Sequence, residues 1–276
     1  MIFMKEANVF SVSGEKAHSI KLPEVFNEPY HPELIKRAAL SAISARFQPK
    51  GTYPDAGREV VTEYRSLRSL PAMERTMNVD KARKPRTKHR RGLLAGDVAA
   101  IPGVVGGPKS HPPKALKTLH ERINEKERRL AIKSAIAASC DRKLVIAHGH
   151  KISEGVELPI IIEKGIEKLK KTKDVCEMLK ALKLWQDVER AKKKKLRSGK
   201  AKRRGRKYAR RKSALIVVLG SKEGIYRAAR NIPGIDVIEL RNLNAEVLAP
   251  GAKAGRLVIW SENAVNELAE KEKVSA

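Results

Sequence analysis

Leu215-Ile-Val-Val-Leu219 decides the class of fold. Five apolar residues in succession, with no polar residue alternating among them, describe a short strand buried on both faces. A helix is predicted over Lys222 to Arg230, a second apolar run over Val237 to Leu240, and a short helix over Ala245 to Leu248. A third run at Leu257 to Trp260 leads into a helix from Glu262 to Lys271. Short buried strands that alternate with helices make βαβ units, so the expected architecture is α/β with a mostly parallel sheet.

Working towards the amino terminus, the same alternation continues. Asp174 to Lys195 reads as a helix with Met178, Leu182, Trp185 and Val188 on one face, and Gly165 to Lys171 as another. Leu158 to Ile162 is an apolar run, Lys143 to Ala147 a short apolar strand, and Leu116 to Ser139 a long helix. At the other end, Val9 to Val12 and Ser19 to Leu22 read as strands around a turn at Gly14. A helix follows from Pro32 to Ala45, ended by Pro49 and Gly51. Between Gln48 and about Lys114 neither period is sustained, and proline and glycine recur (Pro71, Pro85, Pro102, Gly103, Gly106, Gly107, Pro112, Pro113). So long a structureless stretch is rare inside a compact domain, unless it acts outside the domain or orders on a partner. The expected organisation is therefore 1–47 as the first part of a globular body, 48–114 as an extended arm, and 115–276 as the main α/β body.

Charge identifies the partner class. Fifty-nine Lys and Arg against 31 Asp and Glu leave +28 over 276 residues. Arg190 to Lys212 holds fifteen cations and no acid, and Lys81 to Arg91 holds seven and no acid, so two short runs supply 22 of the 28. Positive charge concentrated this way calls for a polyanion, and nucleic acid is the usual one. Neither run carries the apolar residues that would insert beside lipid headgroups, so no membrane partner is expected. No apolar stretch of membrane-spanning length occurs, and Met1 to Phe10 does not read as a signal peptide. Two cysteines, Cys140 and Cys176, make neither a disulfide framework nor a zinc knuckle.

Arg197-Ser-Gly-Lys200-Ala-Lys202-Arg203-Arg204-Gly-Arg206-Lys207-Tyr208-Ala-Arg210-Arg211-Lys212 interleaves cations with glycines and one aromatic residue. Guanidinium forks hold phosphate oxygens in pairs, glycine lets the backbone approach a crowded RNA surface, and Tyr208 offers a ring on which a base can stack. A charged linker would repel itself in water, which favours a binding role. Lys81, Arg83, Lys84, Arg86, Lys88, Arg90 and Arg91, with Lys109, His111 and Lys114, form the matching set on the arm.

Three catalytic signals are weighed and set aside. Gly103-Val-Val-Gly-Gly-Pro108-Lys109-Ser110 nearly spells a phosphate loop, but Pro108 stands where the second glycine belongs and offers no backbone donor. No apolar strand precedes it and Pro112-Pro113 blocks a helix after it. His148-Gly149-His150 lacks a third ligand for a metal and is read instead as a polar strand end facing RNA. Gly220 after Leu219 resembles the first turn of a dinucleotide site, without the rest of the pattern. No nucleophile elbow is found, and neither cofactor, metal nor enzymatic activity is expected.

Four stretches, in order, carry a resemblance. Val104-Val-Gly-Gly-Pro-Lys-Ser-His-Pro-Pro-Lys114, Asn124-Glu-Lys-Glu-Arg-Arg-Leu-Ala-Ile-Lys-Ser-Ala-Ile-Ala-Ala-Ser139 with His148-Gly149-His150, the run Arg197 to Lys212, and the closing strands resemble the large-subunit ribosomal protein four family in its archaeal and eukaryotic branch. The resemblance spans nearly the whole chain; His148 stands where Arg or Lys is usual. It implies a three-layer α/β body with a four-stranded parallel sheet on the outside of the large subunit. It also implies an arm through ribosomal RNA to the wall of the peptide exit tunnel, its tip around Arg75 to Arg91. Arg75, Met77, Arg83, Arg86 and His89 are then the candidates to face the nascent peptide. Relatives often have a glycine-rich tip with Trp or Tyr nearby, whereas this chain reads Met73-Glu-Arg-Thr-Met-Asn-Val-Asp80. The implied partners are large-subunit ribosomal RNA, neighbouring ribosomal proteins and the nascent chain, in the cytoplasmic ribosome. Two other classes stay open on the residues alone. One is an RNA-modifying enzyme, which a cofactor-binding assay separates; the other is a chromatin-like architectural protein, which a duplex-DNA competition separates.

Overall fold

A computed structural model of the chain describes residues 6–64, 68–69, 71, 75, 82–87, 96–220 and 223–275. The chain divides into two compact units, residues 1–46 with 120–276, and residues 47–119.

The first unit is built on one sheet. Its strands are β1 (Glu6–Phe10), β2 (Lys16–Lys21), β3 (Ile160–Ile162), β4 (Leu215–Val218), β5 (Asp236–Glu239) and β6 (Val258–Ser261), in the order β2-β1-β3-β6-β4-β5. All neighbours run parallel except β2, which returns antiparallel to β1 with a register break between Val9 and Phe10. The sheet thus has six strands, not the four that the resemblance implied. The amino-terminal hairpin is the difference, because β1 pairs with β3 (Val9 opposite Ile161) instead of standing apart.

The uninterrupted apolar runs are explained by two cores, one on each face. Ile160, Ile162, Ile216, Val218 and Ile259 pack on one side against Ile166, Val175, Met178, Leu179 and Ile225. Ile161, Leu215, Val217, Val258 and Trp260 turn to the other, against Phe26, Ile35, Ile136, Leu248 and Val265. Successive strand residues point to opposite faces, so a strand between two helical layers must be apolar throughout. Trp260 is fully buried and meets Phe26 edge-on, ring centroids 5.4 Å apart.

Nine α-helices occur among the described residues: α1 (Pro32–Ser44), α2 (Glu125–Ala138), α3 (Arg142–His148), α4 (Thr172–Ala181), α5 (Trp185–Lys192), α6 (Gly199–Arg203), α7 (Glu223–Ala229), α8 (Ala245–Leu248) and α9 (Glu262–Ser275). Small side chains bring α1 and α2 close: Ala38 and Ala131 are both buried, and Ser134 Oγ donates to the Pro29 carbonyl at 2.7 Å. Among the described residues no helix is long and apolar enough to cross a membrane.

Four expected elements differ. Lys143 to Ala147 is helical, not a strand, because Asp141 caps it through the Lys143 amide at 2.9 Å and Gly149 closes it at φ 100°. The helix expected from Leu116 begins only at Glu125, after Asn124 in extended conformation. The helix expected over Asp174 to Lys195 is two helices, broken where Lys183 adopts φ 59° so that Leu182 and Leu184 both reach the core. The 165–171 helix is a single 3-10 segment, Lys164–Lys168.

The second unit is held by turns and short ladders. Thr62–Glu63 pairs antiparallel with Arg86–Thr87, and Arg86 bridges to Val98. The Thr52 amide donates to the Pro113 carbonyl at 3.2 Å, closing the ends of the unit on each other. Gly57 and Gly107 touch backbone to backbone: a Cβ on Gly57 would lie 2.5 Å from the Gly107 carbonyl carbon.

Candidate nucleic-acid interface

The basic segment is a hairpin. Lys195–Leu196 pairs antiparallel with Tyr208–Ala209, and the Arg197 amide donates to the Lys207 carbonyl at 2.9 Å. Between the strands α6 forms the tip, entered at Gly199 (φ 66°) and left at Gly205 (φ 77°), conformations that glycine adopts without strain. Arg197, Lys200, Lys202, Arg203, Arg204, Arg206, Lys207, Arg210 and Arg211 are all exposed. Among the described residues, no lysine or arginine from Lys192 to Arg211 meets a carboxylate. Tyr208 is half-exposed, with the ammonium groups of Lys194 and Lys207 each 5.6 Å from its ring centroid. The hairpin is thus a cationic surface whose charge is left unneutralised by the protein itself.

Its root is clamped. Arg190 Nε donates to Asp187 Oδ1 at 2.8 Å while Nη2 donates to the Lys212 carbonyl at 2.6 Å, so one guanidinium ties the two feet of the hairpin together. Asp187 is fully buried and also accepts from Ser213 Oγ (2.6 Å) and the Lys151 amide (2.9 Å). Burial lifts its carboxyl, but the hydrogen bonds from His150 and Arg190 more than offset this and hold it well below the carboxylate range. Beside it, Asp236 lies between Lys212 Nζ (2.8 Å) and Arg256 Nη2 (2.6 Å). Burial again raises the Asp236 carboxyl and the two cations bring it down on balance. Arg256 is buried and its Nε also donates to the Ser213 carbonyl at 3.0 Å. Sequence reading missed this cluster. A signal existed: Asp187 stands on the apolar stripe of Leu184, Val188 and Ala191, where an unpaired carboxylate is not tolerated.

His148 and His150 are not a polar strand end. His150 is buried against Asp187, and the two imidazoles stack at 5.2 Å. Among the described residues no three His, Cys, Asp or Glu side chains converge as metal ligands. Cys140 is buried, and burial pushes its thiol up to about 12.

In the second unit, Arg83, Lys84, Lys109, His111 and Lys114 are exposed. Arg86 is turned inward instead: Nη1 donates to the Gly96 carbonyl and Nη2 to the Ala82 carbonyl, both at 3.1 Å. Tyr64 donates to the Arg83 carbonyl. Arg75 is half-buried. Lys81, Lys88, Arg90 and Arg91, with Met77 and His89, lie outside the described residues.

The two stretches that suggested nucleotide chemistry are built otherwise. Gly103 to Ser110 is a succession of turns, the Gly107 amide donating to the Val104 carbonyl at 3.1 Å, with neither strand before it nor helix after it. After β4, the Leu219 amide donates to Glu167 Oε1 at 3.2 Å, and Ser261 Oγ at the end of β6 donates to the same oxygen at 2.6 Å. A carboxylate thus sits where a doubly wound sheet would take a phosphate.

Comparison with known proteins points one way. The model of the ribosomal protein L4/L1 family matches residues 20–271. The large ribosomal subunit protein uL4 of Methanosphaera stadtmanae is 43% identical over 269 residues, covering 97% of this chain and 97% of the relative. Its counterpart in Methanocaldococcus jannaschii is 45% identical, over 96% of this chain and 99% of its own. That of Pyrobaculum aerophilum is 43% identical, over 96% and 89%.

Proposed function

Because the chain belongs to the ribosomal protein L4/L1 family, we propose that it is a structural constituent of the large ribosomal subunit that binds ribosomal RNA, with no catalytic role. The observation that carries this reading is the hairpin at 190–212, whose cations from Lys192 to Arg211 are exposed and meet no carboxylate among the described residues, on a root fixed by Arg190 and Asp187. Cations held out in this way displace the counterions of closely packed phosphates and lower the repulsion between RNA strands, which is an architectural task. Contacts of this kind go to the RNA backbone and shape more than to base sequence.

The arm belongs to the same proposal. Residues 48–114 form an RNA-penetrating extension that orders on binding and reaches the wall of the peptide exit tunnel. Its segment around Arg75 to Arg91 faces the nascent chain, and the body meets neighbouring ribosomal proteins. What supports this is the exposure of Arg83 and Lys84 beside the inward-turned Arg86, which leaves two cations on the arm open to RNA.

Sedimentation tests the proposal. Tagged protein from lysate, run on a density gradient with and without a salt wash, is expected to travel with the large subunit in about one copy and to survive the wash. Protein that stays at the top of the gradient, or leaves at modest salt, would exclude an embedded structural component.

A further inference from the structure

At the amino-terminal ends of β4 and β5 lies an open groove of about 1300 Å³, walled by the foot of the basic hairpin on one side and by the end of α7 on the other. Its carboxylates are already paired within the protein. Asp236 is held by Lys212 and Arg256, and Glu246 pairs with Arg46. What is left over is cationic: Arg210, Arg211 and Arg230 line the groove, are exposed, and meet no carboxylate among the described residues. The fourth element is aromatic. Tyr226, 37% exposed, also lines the groove, and the guanidinium carbon of Arg230 stands 5.7 Å from its ring centroid.

We propose that this groove clasps an unpaired stretch of RNA, a phosphate held by Arg210 and Arg211 and a base stacked on Tyr226 with Arg230 beside it. The proposal rests on the RNA-binding reading above and extends the contact from the foot of the hairpin onto the body, where Tyr226 and Arg230 stand. The chemistry selects the occupant. Two guanidinium groups lining one groove match the oxygens of a phosphate, and an aromatic ring next to a cation gives a base a flat, sequence-tolerant platform. A duplex hides its bases within the stack and offers Tyr226 nothing but backbone, so the groove discriminates in favour of unpaired nucleotides. An acidic peptide would meet the arginines but leave the ring unused. The wall is also preorganised: Arg190 fixes the Lys212 carbonyl, and with it the chain that carries Arg210 and Arg211.

The test uses the full chain and two RNA oligonucleotides of equal length, one a perfect hairpin duplex and one with an unpaired internal loop. Wild-type protein is expected to prefer the looped RNA. Tyr226→Ala and, separately, Arg230→Gln are expected to weaken looped-RNA binding about tenfold, with duplex binding and thermal midpoint unchanged. The hairpin variant Arg203→Ala/Arg204→Ala/Arg206→Ala is expected to weaken both RNAs alike. Groove variants that bind both RNAs as the wild type does, while the hairpin variant is impaired, overturn the groove and leave the RNA-binding reading standing. Wild-type affinity in all three variants overturns that reading as well. Binding of poly-aspartate more tightly than the looped RNA, weakened by Arg230→Gln but not by Tyr226→Ala, identifies an acidic protein partner instead and overturns the proposal.

Discussion

Nδ1 of His150 lies 3.0 Å from Oδ2 of Asp187, and both side chains are sealed from solvent. The carboxylate only accepts, so the imidazole proton sits on Nδ1; Arg190 Nη2, at 3.3 Å from the same nitrogen, is then a close neighbour and not a donor to it. This pair is the floor beneath the basic hairpin, since Asp187 also fixes Arg190 and Ser213. Asp187→Ala leaves Arg190 Nε and His150 Nδ1 without their acceptor inside the protein, and is expected to cost about 3–5 kcal/mol in urea unfolding. The folded-state pKa of Asp187 is depressed, so its stabilisation is complete above the unfolded value of 3.8 and is lost as pH falls further towards the folded one. The variant is therefore expected to converge with the wild type in strong acid, and a stability difference independent of pH would contradict the assignment.

His148 supplies a milder pH dependence, nearer neutrality. Burial, and then the neighbouring His150, lower its pKa from the ordinary 6.5, with Arg190 and Arg256 adding to the effect against the Pro250 carbonyl. The unfolded chain thus takes up a proton below 6.5 that the folded one refuses, and stability falls as pH drops through that region. Replacing His148 by Asn is expected to flatten the stability profile between pH 7 and the folded-state value. An unchanged slope would move its origin to another group.

The hairpin makes a prediction in salt. Each phosphate contact contributes a slope of roughly 0.7–0.9 to the dependence of log K on log salt, so the triple substitution of Arg203, Arg204 and Arg206 by Ala is expected to reduce that slope by about 2. A weaker affinity with the full slope retained would mean that these arginines act on the fold of the hairpin and not on phosphates.

How much of this was legible beforehand depends on the range of the interaction concerned. The runs Ile160 to Ile162, Leu215 to Val218 and Val258 to Ser261 announce themselves, because a strand between two helical layers must be apolar at every position. Leu144-Val-Ile-Ala147 has the same local appearance yet is helical, and there the punctuation was decisive: Asp141 before it and Gly149 after it are helix signals that outrank an apolar run. The joining of β1 to β3 spans some 150 residues of sequence and leaves no local trace. The cations of the hairpin were readable as composition; the residues that hold its root, Asp187, Ser213 and Arg256, were not, since they meet only in the fold.

Gly234 tests how tightly the hairpin root is packed. It adopts φ 79°, and a Cβ there would lie 2.7 Å from that of Ala191 and 2.8 Å from the Ser213 amide nitrogen, which itself donates to the Gly234 carbonyl at 2.8 Å. Gly234→Ala combines backbone strain with a clash against main chain that cannot swing aside, and is expected to cost more than about 2 kcal/mol. Because the displaced atoms belong to Ser213 and Arg211, RNA affinity should fall along with the melting temperature. A stable variant with normal binding would show that the root has slack.

The last prediction concerns the end of the sheet remote from the hairpin. Glu167 accepts from the Leu219 amide and Ser261 Oγ through one oxygen, and its other oxygen lies 3.3 Å from Asn263 Nδ2. These donors come from the ends of the adjacent strands β4 and β6, whose following helices go to opposite faces: α7 joins the core of Ile216, and α9 that of Trp260. Such a switch point is where open α/β sheets commonly bind a ligand, and here an internal anion answers the donors instead. If the carboxylate is there to satisfy them, Glu167→Gln must replace a charged acceptor by a neutral one and introduce two surplus donors. The expected cost is about 1–2 kcal/mol in chemical unfolding, and Glu167→Ala should cost at least as much. RNA affinity is expected to stay at the wild-type level in both variants, because Glu167 touches neither the hairpin nor the groove. Loss of RNA binding without loss of stability would instead place this end of the sheet at the RNA surface.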